Sequence, residues 1–443
     1  MNRFYKGLLV FLFVIAMVFT FCACIQEQEE PEVGLNLPNK SLNLITAGPG
    51  EDASTSVVIS WHSKYLNSVL EYKAEGESNY TVQKVKGVQS TSPWTEDVSF
   101  YRNRVVLTGL TPNTTYNYRV KSSDGTVSDE ARFRTAGTDT TFQFMWLSDN
   151  HVPKGGSNTL KRVKELIAFA NVKSGVDIDF CLFTGDMVNK GQIYAHWDYW
   201  ADSKLLNNLE YAFVAGNHDY YAYNSKVRTT NAYFKDVAAY PYNNTQGTAS
   251  VLDSNYWFIW NRVLFVCVDN FTSEGTMLSG SGRSVSDQIK WFKAVVNANA
   301  GNYDYLVYAQ HLPFFNTDTA PCEYGYYTNW NKVFDEYKVD FALSSDEHTY
   351  RRTYPLYNDA KVELVGGKVE TGTVYVTSNM TEGSSISSVV NEAAPDLQYV
   401  AYTAGGVGGV YFTVTPTEMT LHLIGKNGVE YDTITVLKKD RSN

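Results

Sequence analysis

Hydrophobic patterning divides the chain into two regions with different predicted secondary structure. Up to about residue 136, short stretches of alternating and β-branched residues recur between turn signals, as at 56–61 and 80–85. Beyond residue 140, short apolar runs alternate with segments whose apolar residues lie three and four positions apart. The pattern predicts an all-β sandwich of seven strands, followed by an α/β layered domain in which helices flank β-sheets.

Strands and helices alternate along most of the second region. Strands are predicted at 141–147, 177–184, 211–215, 264–268, 305–309, 339–343, 373–376 and 410–414, with a closing hairpin within 418–437. Helices are predicted at 159–171, 203–209, 287–297 and 330–337. In such domains the functional residues lie beyond the carboxyl ends of the strands.

The first 24 residues resemble an export signal. Arg3 and Lys6 precede an unbroken apolar run at 7–24, and Cys24 stands where a bacterial lipobox has its lipidated cysteine. Ordinary cleavage nearby and an uncleaved anchor are the alternatives. Residues 25–39 predict a polar tether. Each of these alternatives places the protein outside the cytoplasm, as a cell-surface lipoprotein or a secreted protein.

Composition and charge exclude several classes of protein. The 443 residues are 44% hydrophobic and 19% charged, which is typical of a globular chain. A net charge of −10 argues against a nucleic-acid-binding protein, which would present a basic surface. Cys181 and Cys267 lie in apolar strand-like runs and are expected to be small core residues. The five cysteines therefore predict no disulfide framework.

Side chains of the types that bind metals follow five of the predicted strands. They are Asp149 and His151, then Asp186, then Asn217, His218 and Asp219, then His311, and finally Asp346 and His348. Four of the seven histidines of the chain stand at these ends. Residues two apart on an extended segment point the same way, so Asp149 and His151 can reach one ion. The five ends together predict a metal site.

The three other histidines are expected to be structural. His62 adjoins a tryptophan in a predicted sandwich strand, and His422 lies in a predicted C-terminal strand. His196 lies in the aromatic run 194–200, for which helix packing is favoured over a wall of a substrate cleft.

The order of these motifs resembles the calcineurin-like metallophosphoesterase superfamily. Asp-x-His, Gly-Asp, Gly-Asn-His-Asp, a single His and a final His-bearing turn run from residue 149 to residue 348. Purple acid phosphatases are the most similar members, because they share a β-sandwich in front and a flank like that at 350–355. The spacing Leu110-x-Pro112-x-x-x-Tyr116-x-Tyr118 is similar to the tyrosine corner of fibronectin type III domains. The resemblance implies a fibronectin-III-like domain at 40–137 and a metallophosphoesterase domain at 141–440.

The resemblance also implies a role for each strand-end residue. Two divalent ions, drawn from Mn, Fe, Mg and Zn, would share Asp186. The first would be held by Asp149, His151, Asp186 and His348, and the second by Asp186, Asn217, His311 and Asp346. His218 would hydrogen-bond the phosphoryl group or protonate the leaving oxygen, and Asp219 would orient His218.

Two departures from purple acid phosphatases change these expectations. Those enzymes usually have Gly where this chain has His151 and a Tyr ligand where it has Asn189, so His151 is expected to replace the Tyr ligand. Their last motif, Gly-His-x-His, corresponds here to residues 345–348, and Asp346 stands in place of the first His. A carboxylate is a harder ligand than imidazole. It would bias the second site towards Mn, Fe or Mg and away from Zn, or weaken that site.

The expected function is hydrolysis of small phosphate esters by a hydroxide that bridges two metal ions, with phosphomonoesters favoured. A phosphodiesterase or nucleotidase is the alternative within the enzyme class. A cell-surface binding protein with a decayed metal site is the alternative from another class. No nucleic-acid partner is expected, and membrane contact is expected only through the N-terminal anchor or signal.

Overall fold

The computed structural model describes residues 40–91, 99–138, 141–153, 157–221, 232–244, 254–271, 283–315, 325–379, 381 and 399–441. All of them lie in the unit Leu35–Asn443. The predicted signal, Cys24 and the predicted tether lie outside the described residues. Within the described part of the chain, no helix combines the length and apolar character needed to cross a membrane.

An all-β sandwich forms the N-terminal region. Its strands are β1 (Leu42–Pro49), β2 (Val57–Ser63), β3 (Asn67–Ala74), β4 (Thr81–Lys86), β5 (Val88–Thr91), β6 (Ser99–Leu107), β7 (Thr115–Ser122) and β8 (Ala131–Arg134). They form two four-stranded sheets in the orders β1-β2-β6-β5 and β4-β3-β7-β8. Strand β7 alternates buried and half-buried residues, which directs Tyr116 and Tyr118 into the core beside Trp61. The described residues of the sandwich thus form eight strands, and the predicted number of seven was wrong.

The second region contains two larger sheets and a two-stranded ribbon. Its strands are β9 (Phe142–Leu147), β10 (Phe180–Thr184), β11 (Glu210–Val214), β12 (Tyr256–Trp260), β13 (Val263–Cys267), β14 (Tyr305–Ala309), β15 (Phe341–Ser344), β16 (Tyr350–Thr353), β17 (Leu356–Tyr357), β18 (Ala360–Lys361), β19 (Val374–Thr377), β20 (Val400–Ala404), β21 (Gly408–Val414), β22 (Glu418–Gly425) and β23 (Glu430–Leu437). One sheet has the order β11-β10-β9-β21-β22-β23, and the other has the order β12-β13-β14-β15-β19-β16-β20.

Helices flank these sheets, as the sequence predicts. They are α1 (Ser157–Ser174), α2 (Tyr194–Asp202), α3 (Ala232–Val237), α4 (Arg283–Ala298) and α5 (Tyr326–Tyr337). Helix α1 contacts β9, β21 and β22 of the six-stranded sheet. Helices α4 and α5 contact each other, with the Phe292 ring edge-on to Trp330 at 5.6 Å between centroids. The helix predicted at 203–209 is only the 3₁₀ turn Leu205–Asn207.

Parallel pairing determines at which edge of each sheet the carboxyl ends of the strands lie. In the six-stranded sheet β10 pairs in parallel with both β9 and β11, and in the seven-stranded sheet β14 pairs in parallel with β13 and β15. Parallel neighbours end at the same edge of a sheet. Aromatic contacts join the two sheets, since Phe144 lies edge-on to Phe265 and Phe341 edge-on to Phe412, each at 5.1 Å between centroids. The five motif-bearing turns follow β9, β10, β11, β14 and β15.

Buried polar contacts fix the sandwich against the second region. The His62 Nδ1 atom lies 2.9 Å from the Tyr194 hydroxyl of α2, and its ring stacks on Phe100. The Arg104 guanidinium donates to the main-chain oxygens of Lys235 and Ala238, both at 2.6 Å. His62 therefore has the structural role expected of it. Cys181 and Cys267 are free cysteines buried in the core, also as expected.

Candidate metal centre

The backbone at three of the five strand ends adopts an uncommon conformation. Asp149, His151, Asp186, Asp346 and His348 all have positive φ angles, between 46° and 74°. This left-handed region is sparsely populated by residues other than glycine, although Asp and His enter it more readily than most. Such strain persists where surrounding structure holds it, and it concentrates at functional sites.

Two glycines leave the space that the centre needs. A Cβ atom on Gly216 would lie 2.3 Å from the backbone nitrogen and the Oδ1 atom of Asp186. Gly185 has a φ of 102°, and a Cβ atom there would lie 2.3 Å from Nδ1 of His311. The Gly-Asp and Gly-Asn-His-Asp motifs therefore have glycine because the turns approach one another too closely for a side chain.

The structure brings the first predicted set of ligands together. Candidate ligand atoms of Asp149, His151 and His348 all lie within 4.8 Å of one another. The two Nε2 atoms of His151 and His348 are 3.1 Å apart, and His151 Nε2 lies 3.5 Å from Asp186 Oδ2. His348 Nε2 lies 3.5 Å from Asp149 Oδ1.

The second predicted set converges on His311. Its Nε2 atom lies 2.9 Å from Asn217 Oδ1 and 3.4 Å from an oxygen of both Asp186 and Asp346. Asp186 therefore belongs to both sets. The Asp346 carboxylate occupies the position at which the family's histidine was expected, and it faces the same imidazole nitrogen.

The orientation of His311 shows that this donor set fits a cation. Its Nδ1 atom lies 2.7 Å from the main-chain oxygen of Thr184, which can only accept, so Nδ1 carries the proton. The Nε2 lone pair then faces three oxygen atoms, an arrangement that requires a proton or a metal ion between them. Similarly, Asp149 is fully buried, yet neither of its carboxylate oxygens makes a hydrogen bond to any described residue. Imidazole nitrogens with carboxylate and amide oxygens are ligands of borderline and hard divalent ions.

The charges around the histidines support the same conclusion. Burial alone would lower the pKa of His311, but Asp186 and Asp346 raise it well above its usual value. Burial likewise opposes a charge on His348, but Asp149 raises its pKa to about 9. Burial would raise the pKa of Asp346, but His311 beside it holds that pKa below its usual range. The cluster thus favours positive charge at its centre.

His218 lies at the more open side of the centre. Its Nδ1 atom donates to the main-chain oxygen of Asn189 at 2.8 Å, and its Nε2 atom lies 4.0 Å from Asp186 Oδ2. Its side chain is 22% exposed, as are those of Asp346 at 23% and His348 at 20%, whereas Asp149 and His311 are at 0%. A ligand would therefore approach from the side on which His218, Asp346 and His348 lie.

The expected role of Asp219 was wrong. Its Oδ1 atom accepts from the main-chain N–H groups of Met187 and Val188, at 3.1 and 3.3 Å, and its Oδ2 atom accepts from Gly216 at 2.8 Å. Burial raises the pKa of Asp219 to about 7. This carboxylate ties the Gly-Asp turn to the Gly-Asn-His-Asp turn, and the Asn189 carbonyl orients His218 instead.

Sequence reasoning missed two contacts of the centre. The Asn189 carbonyl is a main-chain group, so no residue type marks it. Tyr221 follows the Gly-Asn-His-Asp turn. Its hydroxyl accepts from Asn217 Nδ2 at 3.1 Å, and its ring lies 4.4 Å from the His218 ring. An amide whose nitrogen is held in this way presents its oxygen to His311.

The remaining histidines are structural, as the sequence suggested. His196 is buried in α2 and accepts from the main-chain N–H of Lys190 at 3.1 Å. His422 stacks on Tyr411 and lies 3.0 Å from Glu430.

Comparison with known proteins supports both regions. Residues 43–135 match the purple acid phosphatase N-terminal domain, and residues 142–350 match the calcineurin-like phosphoesterase family. The chain therefore contains one region similar to each of these families, the first in the sandwich and the second in the α/β region.

Individual relatives match this chain at low sequence identity. The uncharacterized protein Rv2577 of Mycobacterium tuberculosis is 25% identical over 334 residues, which cover 69% of this chain and 61% of that protein. The purple acid phosphatase PPD1 from yellow lupin (Lupinus luteus) seeds has a TM-score of 0.65 at 15% identity, covering 90% of this chain and 75% of that one. The structure of PhoD has a TM-score of 0.61 at 12% identity, covering 91% and 92%.

Proposed function

We propose that this protein is an exported phosphoesterase that uses two divalent metal ions to hydrolyse small phosphate esters, with monoesters preferred. The observation that carries the proposal is the convergence of seven candidate ligands from five strand ends, with His218 beside them. The calcineurin-like phosphoesterase match over 142–350 supports the same reaction class.

The two ions would be held by the two sets of side chains described above, with Asp186 shared between them. When bound, two divalent ions neutralise charge on the phosphoryl oxygens and make hydroxide available near neutral pH. The carboxylate of Asp346 favours Mn, Fe or Mg over Zn at the second position, because it replaces an imidazole by a harder, charged ligand.

His218 would supply the proton for the leaving oxygen. Because the Asn189 carbonyl retains the Nδ1 proton, the proton available for transfer is carried on Nε2 of the imidazolium form. The Nε2 atom lies at the edge of the centre, 4.0 Å from Asp186 Oδ2. Proton donation through Nε2 leaves a neutral imidazole that is still held by Asn189. General acid catalysis of this kind contributes about 100-fold to 10,000-fold to a rate.

The preference for small monoesters is supported by the sandwich and by the charge of the chain. The sandwich matches the N-terminal domain of purple acid phosphatases. The net charge of −10 would repel a long polyanion more than a small ester.

Relative rates on p-nitrophenyl phosphate and bis(p-nitrophenyl) phosphate test the proposal. We expect the chelated protein to be inactive, and Mn²⁺ to restore faster hydrolysis of the monoester. Faster hydrolysis of the diester would support the phosphodiesterase alternative. A folded protein that binds no metal and hydrolyses neither ester would support the binding-protein alternative.

Export is proposed from the sequence of residues 1–24. Labelling of the protein by radioactive palmitate in a bacterial host, and its loss in Cys24→Ser, would establish the lipid anchor. Secretion of unlabelled protein would instead support cleavage without lipidation.

A further inference from the structure

A sixth strand end lies beside the metal centre without offering it a ligand. Asp269 and Asn270 follow β13, which pairs in parallel with β14, the strand that leads to His311. Both side chains are buried. The apolar run before them resembles those of the five motif-bearing strands. The function proposed above, however, assigns these two residues no role.

Asn270 binds the turn that carries His311. Its Oδ1 atom accepts from the main-chain N–H groups of His311 and Leu312, at 3.0 and 2.9 Å. Its Nδ2 atom donates to Gln310 Oε1 at 3.3 Å. One side chain thereby fixes three consecutive residues of this turn.

Asp269 binds the turn that carries Asn217 and His218. Its Oδ2 atom accepts from the hydroxyl groups of Tyr220 and Ser254, and its Oδ1 atom accepts from the main-chain N–H of Phe271 at 2.9 Å. Tyr220 is buried, and its main-chain N–H donates to the Asn217 oxygen at 3.2 Å. The carboxylate is therefore linked through one tyrosine to the Asn217 turn.

Together these contacts link the two sheets, because Asp269 reaches Tyr220 beyond the six-stranded sheet while Asn270 holds the neighbouring turn of its own sheet. Asn217 follows β11 of the six-stranded sheet, and His311 follows β14 of the seven-stranded sheet. No strand ladder joins β11 to β14, yet Asn217 Oδ1 and His311 Nε2 lie only 2.9 Å apart. Side chains must therefore set the separation of the two turns.

We propose that Asp269 and Asn270 form a clamp, called here the 269–270 clamp, that positions Asn217 and His311 as ligands of the second metal ion. The inference rests on the proposed function, since it assigns positioning residues to the same centre. The clamp residues act through hydrogen bonds to the two turns and do not touch the ion or the substrate. Their loss changes metal affinity and turnover together.

Tyr220→Phe and Asp269→Asn test the clamp from its two sides, with Ser254→Ala as the matched control. Tyr220→Phe and Ser254→Ala each remove one hydroxyl donor to the same carboxylate oxygen, but only Tyr220 lies on the Asn217 turn. The affinity of the chelated full chain for Mn²⁺ is measured by calorimetry, and kcat and KM for p-nitrophenyl phosphate are measured at saturating Mn²⁺.

We expect Tyr220→Phe to weaken the second Mn²⁺ equivalent by about 10-fold to 100-fold, the usual effect of losing a partner behind a ligand. Ser254→Ala should have a smaller effect. Because Tyr220→Phe and Asp269→Asn both act on the Tyr220–Asp269 contact, their combined effect on Mn²⁺ affinity should be smaller than the sum of the two single effects. Equal losses in Tyr220→Phe and Ser254→Ala, or an unchanged Mn²⁺ affinity in Tyr220→Phe, would overturn the clamp.

The wild-type protein separates failure of the clamp from failure of the proposed function. If the wild type binds Mn²⁺ and hydrolyses the ester but Tyr220→Phe is unchanged, only the clamp is wrong. If the folded wild type neither binds Mn²⁺ nor hydrolyses the ester, the proposed function is wrong, and the clamp proposal is wrong as well.

Thermal unfolding of each variant shows whether a loss of affinity reflects loss of the fold. If Asp269→Asn is unfolded at the assay temperature, Tyr220→Phe, which keeps the buried ring, decides the outcome.

Discussion

The histidines of this protein divide into two groups that differ in their surroundings. His62 and His196 contact a tyrosine hydroxyl and a main-chain N–H, and burial lowers the pKa of both to about 3. His311 and His348 lie among carboxylates, which raise their pKa values despite burial. The same residue type is thus a neutral packing group in the sandwich and in helix α2, and a member of a cation site at the strand ends.

The difference follows from how the strands are paired. The sandwich sheets are antiparallel, so successive strands end at opposite edges and their polar residues are dispersed. In the second region β9, β10 and β11 are parallel, as are β13, β14 and β15. Carboxylates and histidines that follow those strands therefore collect at one place.

Substitution of Asp186 should disrupt the cation site more than any other change, because its carboxylate belongs to both ligand sets. We expect Asp186→Asn to lose bound metal and to lower turnover by about 1000-fold, because several kcal/mol of transition-state stabilisation depend on the metals. Elemental analysis and ester hydrolysis measure the two effects. Asp179→Asn is the control, because Asp179 precedes the same strand, β10, at its opposite end. Metal retained in Asp186→Asn would contradict the assignment.

His218 should separate metal binding from proton transfer. His218→Gln is expected to keep its metal ions and to lose about 100-fold or more of its turnover, because the leaving oxygen loses its proton donor. His196→Gln, a buried histidine outside the centre, controls for loss of an imidazole. If His218→Gln loses metal as well, His218 is a ligand and not the acid.

The structural histidines should make the folded protein less stable in acid, and His62 allows this effect to be measured. Its pKa is about 3 in the folded protein and about 6.5 when unfolded, so the unfolded chain binds the proton more tightly. Stability is therefore lost as pH falls from about 6.5 towards 3, by about 2 kcal/mol at pH 5 from this one group. Urea unfolding of the chelated wild type and His62→Gln between pH 5 and pH 7 measures the difference. Identical pH dependence in the two proteins would show that His62 becomes protonated without cost.

Substitution of Asp346 should have the smallest effect, which is a change in metal preference. Asp346→His should increase the affinity for Zn²⁺ relative to Mn²⁺ by about 10-fold while preserving activity, because imidazole is the softer ligand. Competition between the two ions, followed by elemental analysis, measures the preference. If Asp346→Ala leaves both metal occupancy and rate unchanged, Glu347 or water must serve in place of Asp346.

Local patterns predicted the elements well where a periodic signal was strong. The strand predicted at 305–309 is β14 (Tyr305–Ala309), and the hairpin predicted within 418–437 is β22 and β23. Strand β12 (Tyr256–Trp260) was not predicted, and neither was the eighth strand of the sandwich. The helix predicted at 203–209 is only a short turn, since Lys204 there has a left-handed backbone.

The residues of the centre were easier to predict than their roles. Residue types at strand ends predicted the seven side chains that the structure brings together, because parallel pairing determines where strands end. The partners of Asp219 are main-chain N–H groups, two of them about thirty residues earlier in the chain, and local sequence does not reveal such contacts. For the same reason the Asn189 carbonyl and the 269–270 clamp became visible only in the structure.

Titration of the chelated full chain with Mn²⁺, followed by calorimetry with turnover measured at each addition, tests the central claim most directly. The two ligand sets that share Asp186 predict two bound equivalents per chain, with hydrolysis of p-nitrophenyl phosphate appearing as the second binds. Asp186→Asn should bind neither equivalent tightly. A folded wild-type protein that binds a single equivalent, or that reaches full turnover without metal, would contradict the account.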